Sequence, residues 1–346
     1  MNRLHKETVP DVQSTIAQIG KEHTFAVGCG DLMFDRLELF PEYERAVRRM
    51  GVPSFQVLGN HDLELLAQTD EAAAATFMQR VGPTYYSFDR GEVHYVVLDD
   101  VFWYGGGYLG YVEQKQIDWL KADLSFVEKG KTVVVFTHIP PYNESHVRAN
   151  NKNPGTREIV TNRELLYRVL EPYKTHIIVG HMHETEHLVD HGMHIHVCGA
   201  VCGAWWTSDI CEDGTPNGYG VYDVVGSELR WQYKSTGHDS SVQMKLYPRD
   251  SDPQRPGEIV ANVWDATPEW TVAWYEDGER KGLMKRGRGL DPLSVKLYFG
   301  ADQPSRFNWI DPTPTDHLYY ANVSATAKEV MVEATDLWGR KYTARL

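Results

Sequence analysis

Basic charge, cysteine and long apolar runs are all scarce in this chain of 346 residues. Asp and Glu outnumber Lys and Arg by 48 to 35, which gives a formal net charge of −13. The phosphates of a nucleic acid repel such an acidic surface, so we expect no nucleic-acid partner. Anionic substrates are not excluded, because bound metal ions can invert the local field. No apolar run approaches the ~20 residues of a membrane helix, so no membrane span is expected.

The cysteines and the first residues of the chain exclude further classes. Four cysteines occur, and they are Cys29, Cys198, Cys202 and Cys211. They form no C-x-x-C pair, so we expect small buried thiols, with a disulfide between two of the last three left open. The first twenty residues contain no apolar segment of the kind that a secretory signal peptide needs. Instead they predict a helix over 9–19 that Gly20 ends.

Length and periodicity predict two domains. A chain of 346 residues exceeds a typical single domain, and its 42% hydrophobic content is ample for real cores. From residue 24, Val/Ile-rich runs alternate with helical patterns, which is typical of strands buried on both faces. Beyond about residue 185 the pattern is almost entirely β. We therefore predict an α/β layered domain over 1–247, a Pro/Asp/Arg-rich linker over 248–257, and an all-β domain resembling an immunoglobulin-like sandwich over 258–346.

The buried runs of the first domain all end in residues that can bind metal or carry a proton. These residues are Asp31, Asn60, His61, Asp62, Asp99, Asp100, His138 and His181, with His183 two residues further on. One Asp at such a position is commonly a helix N-cap. Five runs with the same kind of ending favour a shared site, because ligands bind beyond the carboxyl ends of strands in open α/β sheets. Gly30, Gly59 and Gly180 precede three of the candidates and allow sharp turns.

The order of these motifs identifies a family resemblance. GDLMFD at 30–35, GNHD at 59–62, the isolated His138 and GHMH at 180–183 resemble the calcineurin-like metallophosphoesterase family. The resemblance spans about residues 24–184 and implies a layered αββα core. The region after 258 is more loosely similar to the β-rich C-terminal domain of a bacterial subgroup, through EIVANVW, YEDGERKG and ATDLWG. That subgroup implies an exported protein, periplasmic or extracellular.

The resemblance implies a set of metal ligands. Asp31 would bridge two divalent ions, and Asn60, His138 and His181 would complete the second site. His183 would ligate the first ion. Imidazole together with carboxylate and amide oxygen suits manganese, iron or zinc.

The resemblance also implies a reaction. A metal-bound hydroxide would hydrolyse a mono- or diester of a small phosphorylated substrate. His61 would bind no metal and would protonate the leaving oxygen as a general acid. Asp62 would brace the turn after its strand, and Asp35 would support the site from behind the ligands.

One block of the family pattern, D-x-H at the end of a first strand, is missing. Asp11-Val12-Gln13 is a poor substitute, because it lies in the predicted N-terminal helix. The first metal site would keep only Asp31 and His183, so we expect it to be incomplete. We expect Met1 to be an internal residue of a longer protein, whose preceding segment could also carry an export signal. The alternative is a catalytically degenerate core that acts as a binding module.

Aromatic residues supply weaker predictions about the substrate. Purple acid phosphatases, a sister group, carry a tyrosine three residues after the bridging Asp, where this chain has Phe34. A phenyl ring cannot ligate iron, so no tyrosinate–iron(III) colour is expected. The candidates for substrate contacts are Asn143, His146, Trp205 and Trp206, with core packing as the alternative. His191, His194 and His196 are predicted to lie along a hairpin.

Overall fold

The Val/Ile-rich runs form the centre of a six-stranded sheet in the computed structural model, which describes residues 1–300, 303 and 305–346. The strands of the first part of the chain are β1 (Ala26–Gly28), β2 (Ser54–Gln56), β3 (Tyr86–Arg90), β4 (Val93–Val97), β5 (Val101–Trp103), β6 (Tyr108–Gly110), β7 (Thr132–Phe136), β8 (Lys174–Val179), β9 (Glu186–Asp190), β10 (Met193–Val197), β11 (Gly218–Val225) and β12 (Glu228–Ser235). The large sheet has the order β3-β4-β7-β8-β10-β9, and its four inner strands are parallel. β1 pairs with β2 in parallel, and β11 pairs with β12 as a hairpin.

Helices cover both sides of these sheets. They are α1 (Val9–Ile19), α2 (Phe40–Met50), α3 (Asp70–Ala73), α4 (Ala75–Arg80), α5 (Gln114–Leu124), α6 (Ser145–Arg148) and α7 (Arg163–Leu170). The predicted N-terminal helix over 9–19 is confirmed as α1, which follows a π-helical turn over Leu4–Thr8. It ends at Gly20, whose positive φ of 97° suits a residue without a Cβ.

The layers follow the order helix, sheet, sheet, helix. On one face of the six-stranded sheet, Val135 and Ile177 pack with apolar side chains of α5 and α7. On the other face, strand residues such as Phe136 pack against side chains of β1 and of the β11–β12 hairpin. Asp11 of α1 then binds Lys234 of β12 at 2.8 Å, which places α1 outside that second layer. The predicted layered αββα core is confirmed.

The C-terminal part consists of two four-stranded antiparallel sheets. Its elements are β13 (Met244–Tyr247), β14 (Glu258–Val263), β15 (Thr271–Glu276), β16 (Glu279–Leu283), β17 (Lys285–Gly289), α8 (Pro292–Tyr298), β18 (Thr315–Asn322), β19 (Val330–Thr335) and β20 (Lys341–Arg345). The sheet orders are β13-β14-β18-β17 and β16-β15-β19-β20. Side chains of both sheets, among them Val263 and Val332, share one hydrophobic core, so the predicted strand-rich C-terminal region is confirmed.

The C-terminal domain differs from the prediction in two details. β13, which the sequence places in the first domain, pairs with β14 in register Tyr247↔Val260. Residues 248–257 therefore join two strands of one sheet, because Pro and Asp serve a long hairpin turn as well as a linker. The domain is also not all-β: α8 interrupts it, with the Asp291 side chain accepting hydrogen bonds from the amides of Leu293 and Ser294 as its N-cap.

Several smaller expectations have clear outcomes. β9 and β10 form an antiparallel hairpin whose turn contains His191 and Gly192, so the predicted hairpin of histidines is confirmed. The four cysteines are unpaired. No helix in the described part of the chain combines the length and the apolar character needed to cross a membrane.

Buried polar contacts join the C-terminal sheets to the α/β core. Asp213 accepts from the backbone amide of Thr185 at 2.8 Å and contacts His317 Nε2 of β18 at 3.1 Å. The Arg148 guanidinium of α6 donates to the carbonyl of Pro314 at 2.8 Å and pairs with Glu184 and Glu186. Because a buried polar group without its partner costs about 1–3 kcal/mol, these contacts fix the two parts together.

A hydrogen-bonded row of buried histidines forms a further connection. His176 Nδ1 lies 3.0 Å from His196 Nε2, and His196 Nδ1 lies 2.9 Å from His187 Nδ1. His187 Nε2 donates to Asp265, just after β14, at 2.6 Å. All contacts are satisfied with neutral rings if each histidine donates toward Asp265. Burial and neighbouring histidines, with His194 stacked on His176, lower the pKa of His176 to about 4 and that of His196 well below its usual range.

Acid should therefore weaken this connection. The folded rings resist a proton that the unfolded rings accept near pH 6.5, so the free energy of unfolding falls as the pH drops from about 6.5 toward 4. His176→Asn keeps an N–H donor for His196 without titrating. The free energy of unfolding is measured by urea denaturation at pH 7.5 and at pH 5. The decrease between these two pH values should be about 2 kcal/mol smaller in His176→Asn than in wild type.

The exposed turn residue His191 supplies the matched control. His191→Asn should lose as much free energy of unfolding on acidification as the wild type does. If acidification lowered the free energy of unfolding equally in all three proteins, the histidines of the row would not be held neutral by the fold.

Candidate metal centre

The residues that follow four of the strands lie close together. Asp31 follows β1 and Asn60 follows its parallel partner β2. His138 follows β7, and His181 follows the parallel neighbour β8. Since parallel strands end at the same edge, the four side chains meet beyond the carboxyl ends of the sheets.

Glycine allows the turns to approach each other closely. A Cβ on Gly59 would lie 2.0 Å from the backbone nitrogen of Asp31, and one on Gly30 would lie 2.3 Å from His138 Nδ1. The buried carboxylate of Asp62 accepts from the amides of Gly59 at 2.9 Å and Met33 at 2.8 Å. It thereby joins the turn after β2 to the turn after β1.

The turns hold non-glycine residues in left-handed backbone conformations. The positive φ values are 54° for Asp31, 56° for Asp35, 71° for His181 and 52° for His183. Each such residue costs on the order of 1–3 kcal/mol and persists only where the surrounding structure fixes it. This concentration of strained residues distinguishes these loops from ordinary connections between a strand and a helix.

The ligand atoms converge closely. His138 Nε2 lies 3.2 Å from Asp31 Oδ1, 3.1 Å from Asn60 Oδ1 and 3.1 Å from His181 Nδ1. Asp31, His138 and His181 form the group of three metal-binding side chains that the described residues contain, with ligand atoms within 4.8 Å of one another. Asn60 adds a neutral oxygen to it.

The remaining hydrogen bonds test whether a metal ion fits. His138 Nδ1 donates to the carbonyl of Cys29 at 2.8 Å, and His181 Nε2 donates to the carbonyl of Arg157 at 2.8 Å. The facing nitrogens, His138 Nε2 and His181 Nδ1, therefore carry lone pairs when the rings are neutral. Two lone-pair nitrogens and two oxygens repel one another unless positive charge lies among them. The donor set fits a divalent ion.

The pKa values of the converging side chains also indicate that the group needs a positive charge. Burial lowers the pKa of His138, but the neighbouring Asp31 outweighs burial and raises it to about 9. Burial followed by the charge of His138 lowers the pKa of His181 to about 3. Burial raises the pKa of Asp31, yet His138, His61 and His181 together bring it below its usual value. Without metal, one proton on His138 thus occupies the place of a cation.

His61 lies beside this group without joining it. Its backbone amide donates to Asp31 Oδ1 at 3.0 Å, and its ring Nδ1 lies 2.8 Å from Asp35 Oδ1. The Asp35 carboxylate fixes Nδ1 as the protonated nitrogen, so Nε2 is available for proton transfer. Phe34 packs against the imidazole at 4.6 Å between ring centroids.

His183 lies apart from the converging ligands. Its Nδ1 donates to the carbonyl of Gly203 at 2.7 Å, which leaves Nε2 as its possible ligand atom, and its ring stacks on Trp205 at 4.1 Å. Asp11 cannot replace a missing ligand, because it binds Lys234 and the amide of Gly237. Gln13 donates to the carbonyl of Arg49.

The two acidic residues after β4 support the turns instead of ligating. Asp100 Oδ1 accepts from the amides of His138 and Ile139 at 3.2 Å. The Asp99 carboxylate accepts from the amide of Val101 at 3.2 Å, and the backbone amide of Asp99 donates to Gln116 Oε1 at 3.0 Å.

The four residues predicted to contact the substrate have different surroundings in the structure. Trp205 contacts His183, as described above. Asn143 is fully buried and bonded to the carbonyl of Glu158, and His146 packs edge-on against Tyr142. Trp206 packs with the N-terminal helical segment. These last three side chains brace loops, and Trp205 is the one of the four that contacts a predicted metal ligand.

Sequence reasoning missed two kinds of functional group. The carbonyls of Cys29 and Arg157, which orient the imidazoles, carry no side-chain signature. Phe307 and Trp309, from the distant segment between α8 and β18, contact residues beside the centre. No motif marks them, because only the fold brings that segment to the site.

Family models match both parts of the chain. The model of calcineurin-like phosphoesterase matches residues 4–185, and the model of the C-terminal region of calcineurin-like phosphoesterase matches residues 195–342.

Known relatives are phosphatases of moderate identity. Purple acid phosphatase 15 of Arabidopsis thaliana is 32% identical over 146 residues, which are 39% of this chain and 25% of that protein. Serine/threonine-protein phosphatase CPPED1 of Mus musculus is 31% identical over 140 residues, which are 38% of this chain and 44% of that protein. The chain thus aligns with less than half of the length of either relative.

Solved structures are similar at low identity. GAP50, the anchor in the inner membrane complex of Plasmodium, aligns with a TM-score of 0.44 at 15% identity over 67% of this chain and 79% of that chain. A purple acid phosphatase from yellow lupin seeds aligns with a TM-score of 0.41 at 12% identity over 79% of this chain and 48% of that chain.

Removing one convergent imidazole should abolish metal binding. We expect about one tightly held divalent ion per chain, since four ligand atoms surround one position. His138→Ala should reduce that content to near zero. Elemental analysis after gel filtration, with protein loaded with manganese or zinc, measures it.

His146→Ala is the matched control, because His146 is another buried histidine outside the converging group. It should keep the metal content of the wild type. Undiminished metal in His138→Ala, or an equal loss in the control, would contradict the assigned position.

Proposed function

Because the chain belongs to the calcineurin-like phosphoesterase family, we propose that it hydrolyses a mono- or diester of a small phosphorylated substrate with a divalent metal ion. Asp31, Asn60, His138 and His181 would hold that ion, and His61 would act as the general acid. Manganese, iron and zinc all suit this mixture of ligands.

One observation carries the proposal. Three acceptor atoms, from Asp31, Asn60 and His181, lie 3.1–3.2 Å from His138 Nε2, and the opposite nitrogens of both imidazoles are bonded to backbone carbonyls. Without metal, a single proton on His138 has to satisfy all three surrounding acceptors, whereas a divalent ion would satisfy all four atoms. The arrangement supports a cation-binding role.

Each side chain has a separate task in the proposed reaction. A bound divalent ion supplies Lewis acidity that activates water and offsets charge on the phosphoryl oxygens. His138 and His181 keep their lone pairs directed inward, since Cys29 and Arg157 hold the ring protons. His61, oriented by Asp35, would donate the Nε2 proton of its imidazolium form to the leaving oxygen and keep the Nδ1 proton that Asp35 binds. Asp62 keeps the two ligand-bearing turns in contact.

A degenerate binding module is the second candidate. The observation in its favour is that, among the described residues, the converging group contains Asp31, His138 and His181 but not His183. His183 would then hold no second ion beside Asp31. With one ion, the clamp on both the attacking and leaving oxygens is lost, so hydrolysis would be slow or absent.

Replacing the general acid should separate chemistry from metal binding. His61→Ala should lower kcat about 10²–10⁴-fold on p-nitrophenyl phosphate or bis-p-nitrophenyl phosphate without changing the metal content. Steady-state assays alongside elemental analysis measure both quantities. Loss of metal in step with activity would contradict the role of His61 as a non-ligand.

Asp35→Asn tests the orientation of His61. It should lower kcat less than His61→Ala does and change the alkaline limb of the pH–rate profile, where a general acid loses its proton, because the carboxylate that orients the imidazole is lost. A metal-loaded wild type that hydrolyses neither ester would favour the binding module.

A further inference from the structure

A row of four aromatic rings connects the two histidines at the edges of the candidate centre. We call Phe34, Trp205, Phe307 and Trp309 the aromatic wall. Phe34 lies 4.6 Å from His61, and Trp205 stacks on His183 at 4.1 Å. The C-terminal residues complete the row, with centroid distances of 5.5 Å for Phe34–Phe307, 5.9 Å for Phe307–Trp309 and 4.7 Å for Trp309–Trp205.

The wall is open to solvent rather than buried as ordinary core. Trp309 is 54% exposed and Phe34 is 39% exposed, while Trp205 and Phe307 are partly exposed. Their contacts with one another are edge-to-face or nearly so, with interplanar angles of 65–84°. A contiguous apolar patch beside polar residues commonly marks a ligand-binding surface.

The wall packs on a small core of its own. Trp205 and Phe307 have positive φ values of 51° and 58°, which bulky residues rarely adopt. Beneath them Tyr298 and Ile310 are fully buried in a small core that Trp205 and Phe307 cover. The Tyr298 hydroxyl also lies 2.6 Å from Ser208 Oγ. A preformed surface loses little entropy when a ligand binds to it.

Charge on the wall indicates what it would bind. The Arg306 guanidinium lies 4.5 Å from the centroid of Phe307. This positive charge disfavours a quaternary ammonium, the other common ligand of aromatic surroundings. A planar, neutral or anionic aromatic group can instead stack on exposed ring faces, while its ester phosphate lies toward His61 and His183.

We propose that the aromatic wall is a specificity site for the aromatic group of an aryl or nucleoside phosphoester. The proposal rests on the proposed phosphoester hydrolysis for the position of the phosphate. It assigns two of the four substrate-contacting rings to the C-terminal part of the chain. Stacking of one ring contributes about 1–3 kcal/mol, so an aromatic ligand should bind about tenfold or more tightly than an alkyl ligand of equal charge.

Binding of non-hydrolysable probes tests the wall without catalysis. Isothermal titration of the metal-loaded full chain should give at least a tenfold lower Kd for phenylphosphonate than for methylphosphonate. Trp309→Ala and Phe307→Ala should reduce that ratio to near one and leave the Kd of methylphosphonate unchanged. Phe126→Ala is the control, since this 92% exposed phenylalanine follows α5 and belongs to no part of the wall; it should keep the wild-type ratio.

Turnover supplies the second measurement. Trp309→Ala should raise KM for bis-p-nitrophenyl phosphate about tenfold, with little change in kcat, and should leave KM for glycerol 2-phosphate as in wild type. An unchanged phosphonate ratio in both wall variants would overturn the proposal. A wild type that hydrolyses no ester but still prefers phenylphosphonate through Trp309 would support the wall and contradict only the hydrolysis.

Discussion

The crowding of lone pairs around His138 Nε2 is the constraint on which the rest of this structure depends. A carboxylate oxygen, an amide oxygen and a second imidazole nitrogen lie 3.1–3.2 Å from this atom. Such a group is stable only with positive charge inside it, supplied by a proton or by a metal ion. The left-handed turns, the glycine contact and the Asp62 brace all serve to hold these atoms in place against repulsion.

The C-terminal part of the chain takes part in the site as well as in the fold. Its β18 is linked through His317 and Asp213 to Thr185, just beyond the GHMH loop. The segment before β18 adds Phe307 and Trp309 beside Phe34 and Trp205. Side chains of both parts therefore lie beside the centre, although Phe307 and Trp309 are far along the chain from the motifs that supply its candidate ligands.

Much of the core could be predicted because its signals are local. Runs such as 132–136 are continuous and apolar, so a strand buried on both faces follows from periodicity alone. The structural role of the Pro- and Asp-rich residues 248–257 could not be predicted from composition, because the same composition suits a linker and the hairpin connection between β13 and β14. β13 has only four residues, and its membership in the C-terminal sheet depends on a partner strand rather than on its own composition.

The sequence by itself determined which chemical groups end the core strands, because a strand and the residue after it are neighbours in the chain. It also determined the order of motifs that places the chain in its family. Tertiary structure alone decided which nitrogen of each imidazole faces the centre, since the carbonyls of Cys29 and Arg157 become partners only after folding. It likewise decided that Asn143 braces a loop while Trp309 packs against Trp205 beside the centre. These side chains acquire their roles from burial and contact partners that distant segments of the chain supply.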